Sequence, residues 1–559
     1  MSAVQVRDLS FTYRDAPSPA LSRVNLDLDT GQWLMLMGEA GAGKSTLCRC
    51  LNGLIPKFQK GAFRGSVSVA GQETLERQVW EMARSVGMVF QDFEAQLFST
   101  RVDLEVAFAL ENLGVPPQEM RERIPQMLAL VGLQGFEKRA PAALSGGEKQ
   151  RLAIASALAP QPPVVVMDEP TSDLDPVGKK QVMRITRQLR REKPTMIMVE
   201  HDTEEALQAD TVAVLSQGRL VREGSPCEVL CDSRFLEDNG IAPLQTVQLV
   251  SALGIEQPAL TVEQARESLR ARGTRPDPEA FRRIVDADHA RERAYGEPVL
   301  QVTSLVHRYS PGQEALAGVT LDVRRGEFIA IVGANGSGKT TLAQHMNRLL
   351  EPSEGQVLVE GEDARKQTLL QLAQKVGYVF QNPDHQLFAA TVAEEVGFGP
   401  TNFGLPQSEV ASRVASALQA VGMEGARGSD PFTLTKGDRQ RVAVASILAA
   451  RPHVLIFDEP TTGLDYRQTR NMLALVTRLN RAGHTIIIIT HNMWVAAEYA
   501  HRVIVMQAGQ IIGDGPAREV FAREDLLAAA ELAAPPVARL GNMMGCCFLS
   551  VEEARACLS

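Results

Sequence analysis

The chain has 559 residues, of which 44% are hydrophobic and 22% charged, and its formal net charge is −9. This length exceeds what one hydrophobic core supports, so several domains are expected. The acidic balance argues against a protein that binds nucleic acid, because such proteins more often carry a basic face. No apolar run reaches the roughly 20 residues that cross a bilayer, so no membrane-spanning helix is predicted.

The first elements of the chain are three short predicted strands. They lie around Val4–Leu9, at Val24–Leu28 and at Trp33–Met37. The third runs into the sequence GEAGAGKS at residues 38–45, which matches the P-loop pattern GxxxxGK[ST]. In that pattern glycines let backbone N–H groups surround phosphates, the lysine reaches the β and γ phosphates, and the hydroxyl binds Mg²⁺. The predicted nucleotide-binding residues are Gly38, Gly41, Gly43, Lys44, Ser45 and Thr46.

A loop that leads into a helix follows at Leu144–Arg151, with the sequence LSGGEKQR. The apolar run at residues 164–167 is typical of a strand buried on both faces, and it ends in Asp168 and Glu169. Asp168 suits the task of holding Mg²⁺ through its water shell, and Glu169 is placed to polarise an attacking water. A later strand ends at His201, and this alternation of strands and helices around a P-loop predicts an α/β nucleotide-binding domain.

The second half of the chain repeats every one of these features. Its predicted nucleotide-binding residues are Gly333, Gly336, Gly338, Lys339, Thr340 and Thr341. The carboxylate pair returns as Asp458 and Glu459, and a later strand precedes His491. An altered copy of the LSGGE stretch stands at Leu434–Arg441, where Thr435 and Gly437 are kept but Lys436 replaces a glycine. The repeat predicts two P-loop NTPase domains in tandem.

Other segments set the predicted boundaries. The first half has a short insertion at Gly53–Gly65, for which a solvated surface loop is favoured over a binding patch. Helices are predicted from Leu244 to about Arg266 and again near the end of the chain, and Arg270–Arg293 is predicted to be a flexible, charge-balanced linker. The expected division is two nucleotide-binding domains at 1–235 and 298–525, each with a helical subdomain. A tail and linker at 236–297 and a helical tail at 526–559 follow them.

With these motifs in place, both halves resemble ATP-binding cassette (ABC) ATPases. The resemblance implies that the nucleotide is ATP with Mg²⁺. It implies adenine stacking by Tyr13 and Tyr309, although a tyrosine at this spacing could also be core packing. It further implies D-loops at Ser172–Asp175 and Thr462–Asp465. The implied catalytic residues are Glu169, Glu459, His201, His491, Gln91 and Gln381, and Mg²⁺ would be held by Ser45, Asp168, Thr340 and Asp458 with Gln91 and Gln381.

In this family two nucleotide domains meet head to tail, so the signature of one closes over the P-loop of the other. Ser145, Gly146 and Gly147 would then serve the ATP on the second P-loop. Thr435 and Gly437 would serve the first P-loop, where the long side chain of Lys436 is expected to disturb closure. A displacement of about 1 Å can slow a reaction on the order of 100-fold. We therefore expect most ATP hydrolysis at the second P-loop.

A finer resemblance lies after each glutamine. The segments Phe90–Phe98 and Phe380–Phe388, the latter followed by residues 391–400, are similar to the ATPase subunits of energy-coupling factor importers. There these segments line a groove for a helix of a transmembrane coupling subunit, and the small tails help two ATPases to pair. The resemblance implies a fused pair at the cytoplasmic face of the membrane, working with that subunit and with a substrate-binding membrane subunit.

In that family the cargo is a vitamin, a vitamin precursor, or a cobalt or nickel ion. Three alternatives stay open at this point. The Leu and Phe side chains after each glutamine could simply pack locally, the chain could be the tandem ATPase of a conventional sugar-type importer, or it could be a soluble twin-ABC protein that acts on ribosomes or nucleic acid. The acidic composition argues against the last of these.

Overall fold

The structure is a computed structural model that describes residues 2–172, 174–310 and 312–558, with the side chain of Glu192 also outside the description. Its contacts divide the chain into two compact units, residues 1–244 and 245–559. Each unit has its own sheets and its own hydrophobic core. In the described parts of the chain, no helix is both long enough and apolar enough to cross a membrane.

The first unit contains two sheets. Its strands are β1 (Ser2–Tyr13), β2 (Leu21–Asp29), β3 (Trp33–Met37), β4 (Gly61–Val69), β5 (Gln72–Glu73), β6 (Val86–Val89), β7 (Val164–Asp168), β8 (Thr195–Val199), β9 (Thr211–Ser216) and β10 (Arg219–Gly224). Its helices are α1 (Lys44–Leu51), α2 (Leu54–Lys57), α3 (Val79–Met82), α4 (Val102–Asn112), α5 (Pro117–Leu130), α6 (Gly146–Leu158), α7 (Pro176–Leu189), α8 (Thr203–Ala206), α9 (Pro226–Leu230) and α10 (Ser233–Asp238), with 3₁₀ turns at Pro141–Ala143 and Arg190–Glu192.

The larger sheet of this unit has the strand order β10-β9-β3-β8-β7-β6, and only β10 runs antiparallel to its neighbour. Strands β3, β7 and β8 are buried along their whole length, which explains their continuous apolar sequences. The smaller antiparallel sheet, β2-β1-β4-β5, packs on one face, where Val4 and Val6 share a core with Leu34 and Leu36. This arrangement brings the carboxyl ends of β3 and β7 to one edge.

The second unit repeats this plan. Its strands are β11 (Pro298–Ser310), β12 (Gln313–Arg324), β13 (Phe328–Val332), β14 (Glu354–Val359), β15 (Glu362–Asp363), β16 (Val376–Val379), β17 (Val454–Asp458), β18 (Thr485–Ile489), β19 (Arg502–Gln507) and β20 (Gln510–Pro516). Its helices are α11 (Gln245–Ala252), α12 (Val262–Ala271), α13 (Pro278–Arg293), α14 (Lys339–Met346), α15 (Leu369–Lys375), α16 (Val392–Asn402), α17 (Gln407–Val421), α18 (Lys436–Leu448), α19 (Tyr466–Arg481), α20 (Met493–Tyr499), α21 (Ala517–Ala522), α22 (Glu524–Ala529), α23 (Pro536–Asn542) and α24 (Val551–Cys557), with 3₁₀ turns at Ala364–Lys366, Pro383–His385, Glu424–Ala426 and Pro431–Thr433.

The sheets of the second unit have the orders β12-β11-β14-β15 and β16-β17-β18-β13-β19-β20. The prediction of two tandem α/β P-loop domains is therefore confirmed. Helices α16, α17 and α18 form a helical subdomain whose apolar side chains, among them Val396, Val414 and Val442, join the core under the parallel sheet. In the first unit α4, α5 and α6 occupy the same place in the chain order.

The prediction of a flexible linker at Arg270–Arg293 is wrong, because most of that stretch is helix α13. The helix begins after Asp277, whose side chain accepts hydrogen bonds from two backbone N–H groups of the first turn. Phe281 and Ile284 lie one turn apart and pack against the core that the helices at 245–271 share with the end of the chain. The charged composition concealed this sparse apolar face.

The insertion at Gly53–Gly65 is also not a simple surface loop. Its first part forms the short helix α2, and its last residues pair with β1, where Tyr13 lies opposite Gly61 and Ser10 lies opposite Arg64. The extra residues therefore lengthen strand β4. At Gly61 a Cβ atom would lie 2.6 Å from the ring of Phe11, so the close approach of the two strands requires glycine.

Candidate nucleotide sites

The first P-loop connects β3 to α1 at the carboxyl edge of the parallel sheet. Gly43 has a φ of 103°, and a Cβ on it would lie 2.4 Å from the carbonyl oxygen of Ala20, so only glycine fits. Lys44 is buried, and its Nζ donates to the carbonyl oxygens of Gly38 at 2.8 Å and Glu39 at 2.9 Å. The lysine is thus held along the inner side of the loop that the sequence assigns to phosphates.

The second P-loop has the same construction. Gly338 has a φ of 99°, and a Cβ there would lie 2.7 Å from the carbonyl oxygen of Ala315. The Nζ of Lys339 donates to the carbonyl oxygens of Gly333 and Ala334, each at 2.9 Å. Both loops therefore keep a buried ammonium group among backbone dipoles, beside a helix N-terminus that favours anions.

The two tyrosines predicted to stack on adenine are tied to their P-loop helices. The hydroxyl of Tyr13 lies 3.1 Å from Oγ1 of Thr46, and that of Tyr309 lies 3.1 Å from Oγ1 of Thr341. Tyr309 is 54% exposed, so its ring is not core packing. Each tyrosine joins the first strand of the small antiparallel sheet, β1 or β11, to the helix that follows the P-loop.

In the first unit the carboxylate pair follows β7 directly. Glu169 accepts hydrogen bonds from Nε2 of Gln91 at 2.8 Å and from the hydroxyl of Ser172 at 3.0 Å, and Nε2 of His201 lies 3.0 Å from its other oxygen. Burial raises the pKa of Glu169, but His201, Lys44 and Ser172 together lower it, to about 2. The group is therefore ionised at neutral pH, as a residue that orients water requires.

In the second unit Glu459 contacts Nδ1 of His491 at 2.6 Å and accepts a hydrogen bond from the hydroxyl of Thr462 at 3.2 Å. Within the described residues Gln381 makes no hydrogen bond to Glu459, unlike its counterpart Gln91. Both glutamates adopt a left-handed backbone conformation, with φ of 51° at Glu169 and 49° at Glu459. Such strain is typical of functional sites, and here it is repeated in both units.

Two buried aspartates provide a fit for Mg²⁺. Burial raises the pKa of both Asp168 and Asp458. Asp458 Oδ1 accepts a hydrogen bond from Thr340 at 3.2 Å, and the Ser45 hydroxyl bonds to Asp168. Within the described residues, Oδ1 of Asp168 is buried without a hydrogen-bond partner. Carboxylate and hydroxyl oxygens are the donors that Mg²⁺ prefers, so both sites suit this ion.

The two signature stretches cap helices α6 and α18. Ser145 and Glu148 form a complete capping box, in which each side chain bonds the backbone N–H of the other. The Thr435 side chain accepts a hydrogen bond from the backbone N–H of Asp438. The Asp438 side chain, which is shorter than that of Glu148, makes no hydrogen bond to the backbone N–H of Thr435. The predicted binding residues Gly146, Gly147 and Gly437 all lie in the first turns of these helices.

Lys436 lies over the D-loop of its own unit. Its Nζ is 2.5 Å from the position that a Cβ on Gly463 would occupy, and Gly463 has a φ of 73°. In the first unit, by contrast, a Cβ on Gly146 would meet no atom within 4 Å. The corresponding residue of the first D-loop, Asp173, lies outside the described residues.

Within each unit the structure brings the P-loop, the carboxylate pair and the histidine to one edge of the parallel sheet, and the tyrosine contacts the helix that follows the P-loop. Sequence reasoning missed Tyr378, whose hydroxyl donates to Asp458 at 2.7 Å, and it missed the buried carboxylates Glu105 and Glu395. A charged residue on the apolar face of a predicted helix is the signal that could have revealed the last two.

These features define a protein with two P-loop ATPase domains in tandem. Comparison with known proteins supports this and specifies the family: the sequence profile described as ABC transporter matches residues 21–172 and 316–462. The chain belongs to the ATP-binding proteins of ABC transporters and is an ATP hydrolase.

A relative from Caldanaerobacter subterraneus subsp. tengcongensis, assigned as an ABC transporter ATP-binding protein, is 49% identical over 99% of this chain and 98% of its own length. One from Methanosarcina acetivorans with the same assignment is 41% identical over 96% of this chain and 89% of its own length. Among solved structures, cbiO1 from Clostridium perfringens, described as part of the ABC transporter complex cbiONQ, matches 44% of this chain and 99% of its own at 38% identity, with a TM-score of 0.39.

Proposed function

We propose that the chain is the ATP-hydrolysing subunit of an energy-coupling importer for a vitamin, a vitamin precursor or a metal ion. It acts on a transmembrane coupling subunit and a substrate-binding membrane subunit carried by other chains, at the cytoplasmic face of the membrane. The observation that carries this proposal is a pair of exposed aromatic rings at the same place in each unit.

In the first unit Phe98 is 60% exposed and Phe108 is 45% exposed, and their rings meet edge to face with centroids 4.4 Å apart. In the second unit Phe388 is 60% exposed and Phe398 is 49% exposed, with centroids 4.7 Å apart in the same geometry. Apolar rings that are repeated and held in a fixed geometry at the surface are typical of a docking surface.

Buried carboxylates hold these rings at the surface. Glu105, which is 4% exposed, accepts hydrogen bonds from the backbone N–H groups of Phe98 at 3.1 Å and Ser99 at 2.7 Å. The Glu395 side chain likewise accepts hydrogen bonds from the backbone N–H groups of Phe388, at 2.8 Å, and of the residue after it. A buried charge is expensive to maintain, so its repeated use to fix an exposed phenylalanine supports a role in binding.

In the second unit the alternative of local packing applies to the leucine of the segment and not to the phenylalanine. Leu387 is 3% exposed and belongs to the core of the second unit, whereas the adjacent Phe388 faces solvent. The segment therefore uses one apolar side chain as an anchor and offers the other to a partner. An apolar helix of a membrane protein is a partner of suitable chemistry.

Each docking segment is also connected to the signature helix of its unit, and the segment of the first unit is connected to the ATP site as well. In the first unit Gln91 donates to Glu169, and Glu94 forms an ion pair with Lys149 of α6 at 2.7 Å. In the second unit Asp384 pairs with Arg439 of α18 at 2.8 Å. Movement of these helices on ATP binding would therefore be passed to the docked partner.

We further propose that the two halves pair head to tail within one chain, so that Ser145, Gly146 and Gly147 close over the ATP on the second P-loop. That site combines an intact signature with Lys339, Asp458 and Glu459 and carries most of the hydrolysis. The first site binds ATP and turns over slowly, because Lys436 stands where its signature needs a glycine.

The test is co-purification from membranes of cells that express the full chain with its natural partners. We expect two membrane chains, one that couples and one that binds the substrate, and the double variant Phe98→Ala, Phe388→Ala should lose them. Burying one phenylalanine contributes about 1.5–3 kcal/mol, so two should weaken binding roughly 100-fold or more.

The matched control is Phe58→Ala, because Phe58 is 72% exposed but lies outside both docking segments. It should keep both membrane chains. Recovery of the chain with ribosomes, or with a permease pair and a soluble binding protein, would contradict the proposal. So would a double variant that retains its partners as well as Phe58→Ala does.

A further inference from the structure

The metal-holding carboxylates of the two units have different surroundings. In the second unit both oxygens of Asp458 accept hydrogen bonds, Oδ2 from the Tyr378 hydroxyl at 2.7 Å and Oδ1 from Thr340 at 3.2 Å. Tyr378 is 4% exposed and lies on β16, where it pairs with Ile456 of β17, two residues before Asp458. The tyrosine thus reaches the carboxylate from the neighbouring strand.

In the first unit the residue that corresponds to Tyr378 is Met88. It lies on β6 opposite Val166, which stands two residues before Asp168, so the register matches that of the second unit. A thioether cannot donate a hydrogen bond, and Met88 instead accepts one from Asn52. Within the residues that the structure describes, Oδ1 of Asp168 is left buried without a partner.

A second residue near this carboxylate also differs between the two units. Burial raises the pKa of Asp168, and the charge of the nearby Arg49 offsets part of this rise. The residue at the matching place on the second P-loop helix is Gln344, whose side chain bonds to Tyr378. The first unit therefore has a cation near its carboxylate that makes no hydrogen bond to it in the described residues, and the second fixes its carboxylate through a chain of hydrogen bonds from Gln344 to Tyr378 to Asp458.

We propose that Tyr378 is a positioning residue for ATP hydrolysis at the second P-loop. Its hydroxyl fixes the orientation of Asp458, so that the carboxylate meets the Mg²⁺ of bound Mg²⁺·ATP without first rearranging. The first unit lacks this device. The inference rests on the proposed assignment of Asp458 as a metal-holding residue, and it adds a difference between the sites that is independent of the signature sequences.

A hydrogen-bond partner behind a metal ligand typically changes metal affinity or activity by roughly 10–100-fold when it is removed. Tyr378→Phe deletes only the hydroxyl. In a full chain that carries Lys44→Ala, so that nucleotide binding reports the second site, we expect this variant to raise the free Mg²⁺ concentration needed for half-maximal binding of a fluorescent ATP analogue roughly tenfold. Binding of the analogue in EDTA should stay the same.

The matched control is Met88→Leu in a chain that carries Lys339→Ala, which should leave the Mg²⁺ requirement of the first site unchanged. In the same assay Asp458→Asn tests the assignment itself. An unchanged requirement in Tyr378→Phe, with a lost Mg²⁺ response in Asp458→Asn, would overturn the inference and keep the assignment. An unchanged response in Asp458→Asn would overturn both.

A packing role for Tyr378 would give another result. Weaker binding of the analogue in EDTA, together with an unchanged Mg²⁺ requirement, would mean that the ring only supports the fold and would overturn the proposal. A rise in the Mg²⁺ requirement at constant binding in EDTA supports it.

Discussion

The two units have the same fold but differ in the residues of their ATP sites. The first has an intact signature at Ser145–Gly147 and has Met88 where the second has Tyr378. The second has Lys436 in its signature and Tyr378 on Asp458. In the head-to-tail pairing proposed above, both favourable features serve the ATP on the second P-loop. The comparison predicts that the second site is specialised for ATP hydrolysis, although the first keeps a glutamate, Glu169, at the same place.

The largest expected effect comes from the catalytic glutamates. Glu459→Gln should lower steady-state ATP hydrolysis of the assembled complex by on the order of 100-fold, because general-base contributions are typically this large or larger. Glu169→Gln should lower it less than about twofold, since its site contributes little turnover. If Glu169→Gln abolishes turnover and Glu459→Gln barely affects it, the assignment of the two sites is reversed.

A reciprocal exchange in the signatures should give the next largest effect. Gly146→Lys should lower turnover at the second P-loop roughly tenfold or more, because the backbone can no longer approach the γ-phosphate closely. The substitution fits locally, since a Cβ at Gly146 meets no atom within 4 Å of its own unit. Equal ATPase rates in Gly146→Lys and the unmodified protein would refute the role given to this signature.

The reverse change, Lys436→Gly, should raise the residual rate of a Glu459→Gln protein several-fold by repairing closure at the first P-loop. The ATPase rate is measured for Lys436→Gly in the unmodified and in the Glu459→Gln protein, and Lys436→Met, which removes the charge but keeps a long side chain, serves as the control. A rise that is equally large in the control would show that charge, and not the geometry of the signature, limits the first site.

The units differ in histidine content as well. The first contains His201 alone, and the other eight histidines of the chain lie in the second. Burial lowers the pKa of His345, His484 and His501, the last to about 4. His345 and His307 lie behind Tyr309 with their nitrogens 3.2 Å apart, where the first unit has the uncharged residues Phe11 and Cys50.

The smallest expected effect comes from these histidines and concerns the free energy of unfolding at acid pH. Below pH 6.5 the unfolded chain binds protons that the folded unit does not, so stability is complete above pH 6.5 and falls as the pH decreases toward 4. At pH 5 His501 alone should remove about 1–2 kcal/mol from the free energy of unfolding. His501→Phe should abolish that part of the loss.

The measurement is urea unfolding at pH 7.5 and pH 5, followed by hydrogen exchange in peptides of each unit. The matched control is His385→Phe, because His385 is exposed. Between pH 7.5 and pH 5 it should lose as much free energy of unfolding as the unmodified protein. The same pH dependence in His501→Phe and in the control would contradict the prediction.

Much of the fold was predictable from sequence because its signals are local. The continuous apolar runs at β3, β7 and β17 indicated buried parallel strands. The spacing of the P-loop glycines indicated a phosphate-binding loop after the third strand of each unit. The contacts of Tyr378 were not predictable in this way. They depend on the register between β16 and β17, which no local pattern specifies.

Two other features were hidden for different physical reasons. Helix α13 has few apolar residues, and it folds because the end of the chain covers them. The exposure of Phe98 depends on the buried side chain of Glu105, so the sequence could not distinguish an anchor from a docking ring. In both cases a tertiary contact, and not the local sequence, decides the outcome.

The helices at 245–293 share one core with residues 536–558, and the backbone N–H of Asp277 bonds to the carbonyl of Cys557 at 2.7 Å. Arg518 reinforces this core through ion pairs with Asp288 and Glu553 at 2.9 Å. During synthesis the amino-terminal unit can fold as it emerges, in the usual order. The helices that follow it must wait until the ribosome has made residues 536–558, so their core forms only after the rest of the second unit has been translated.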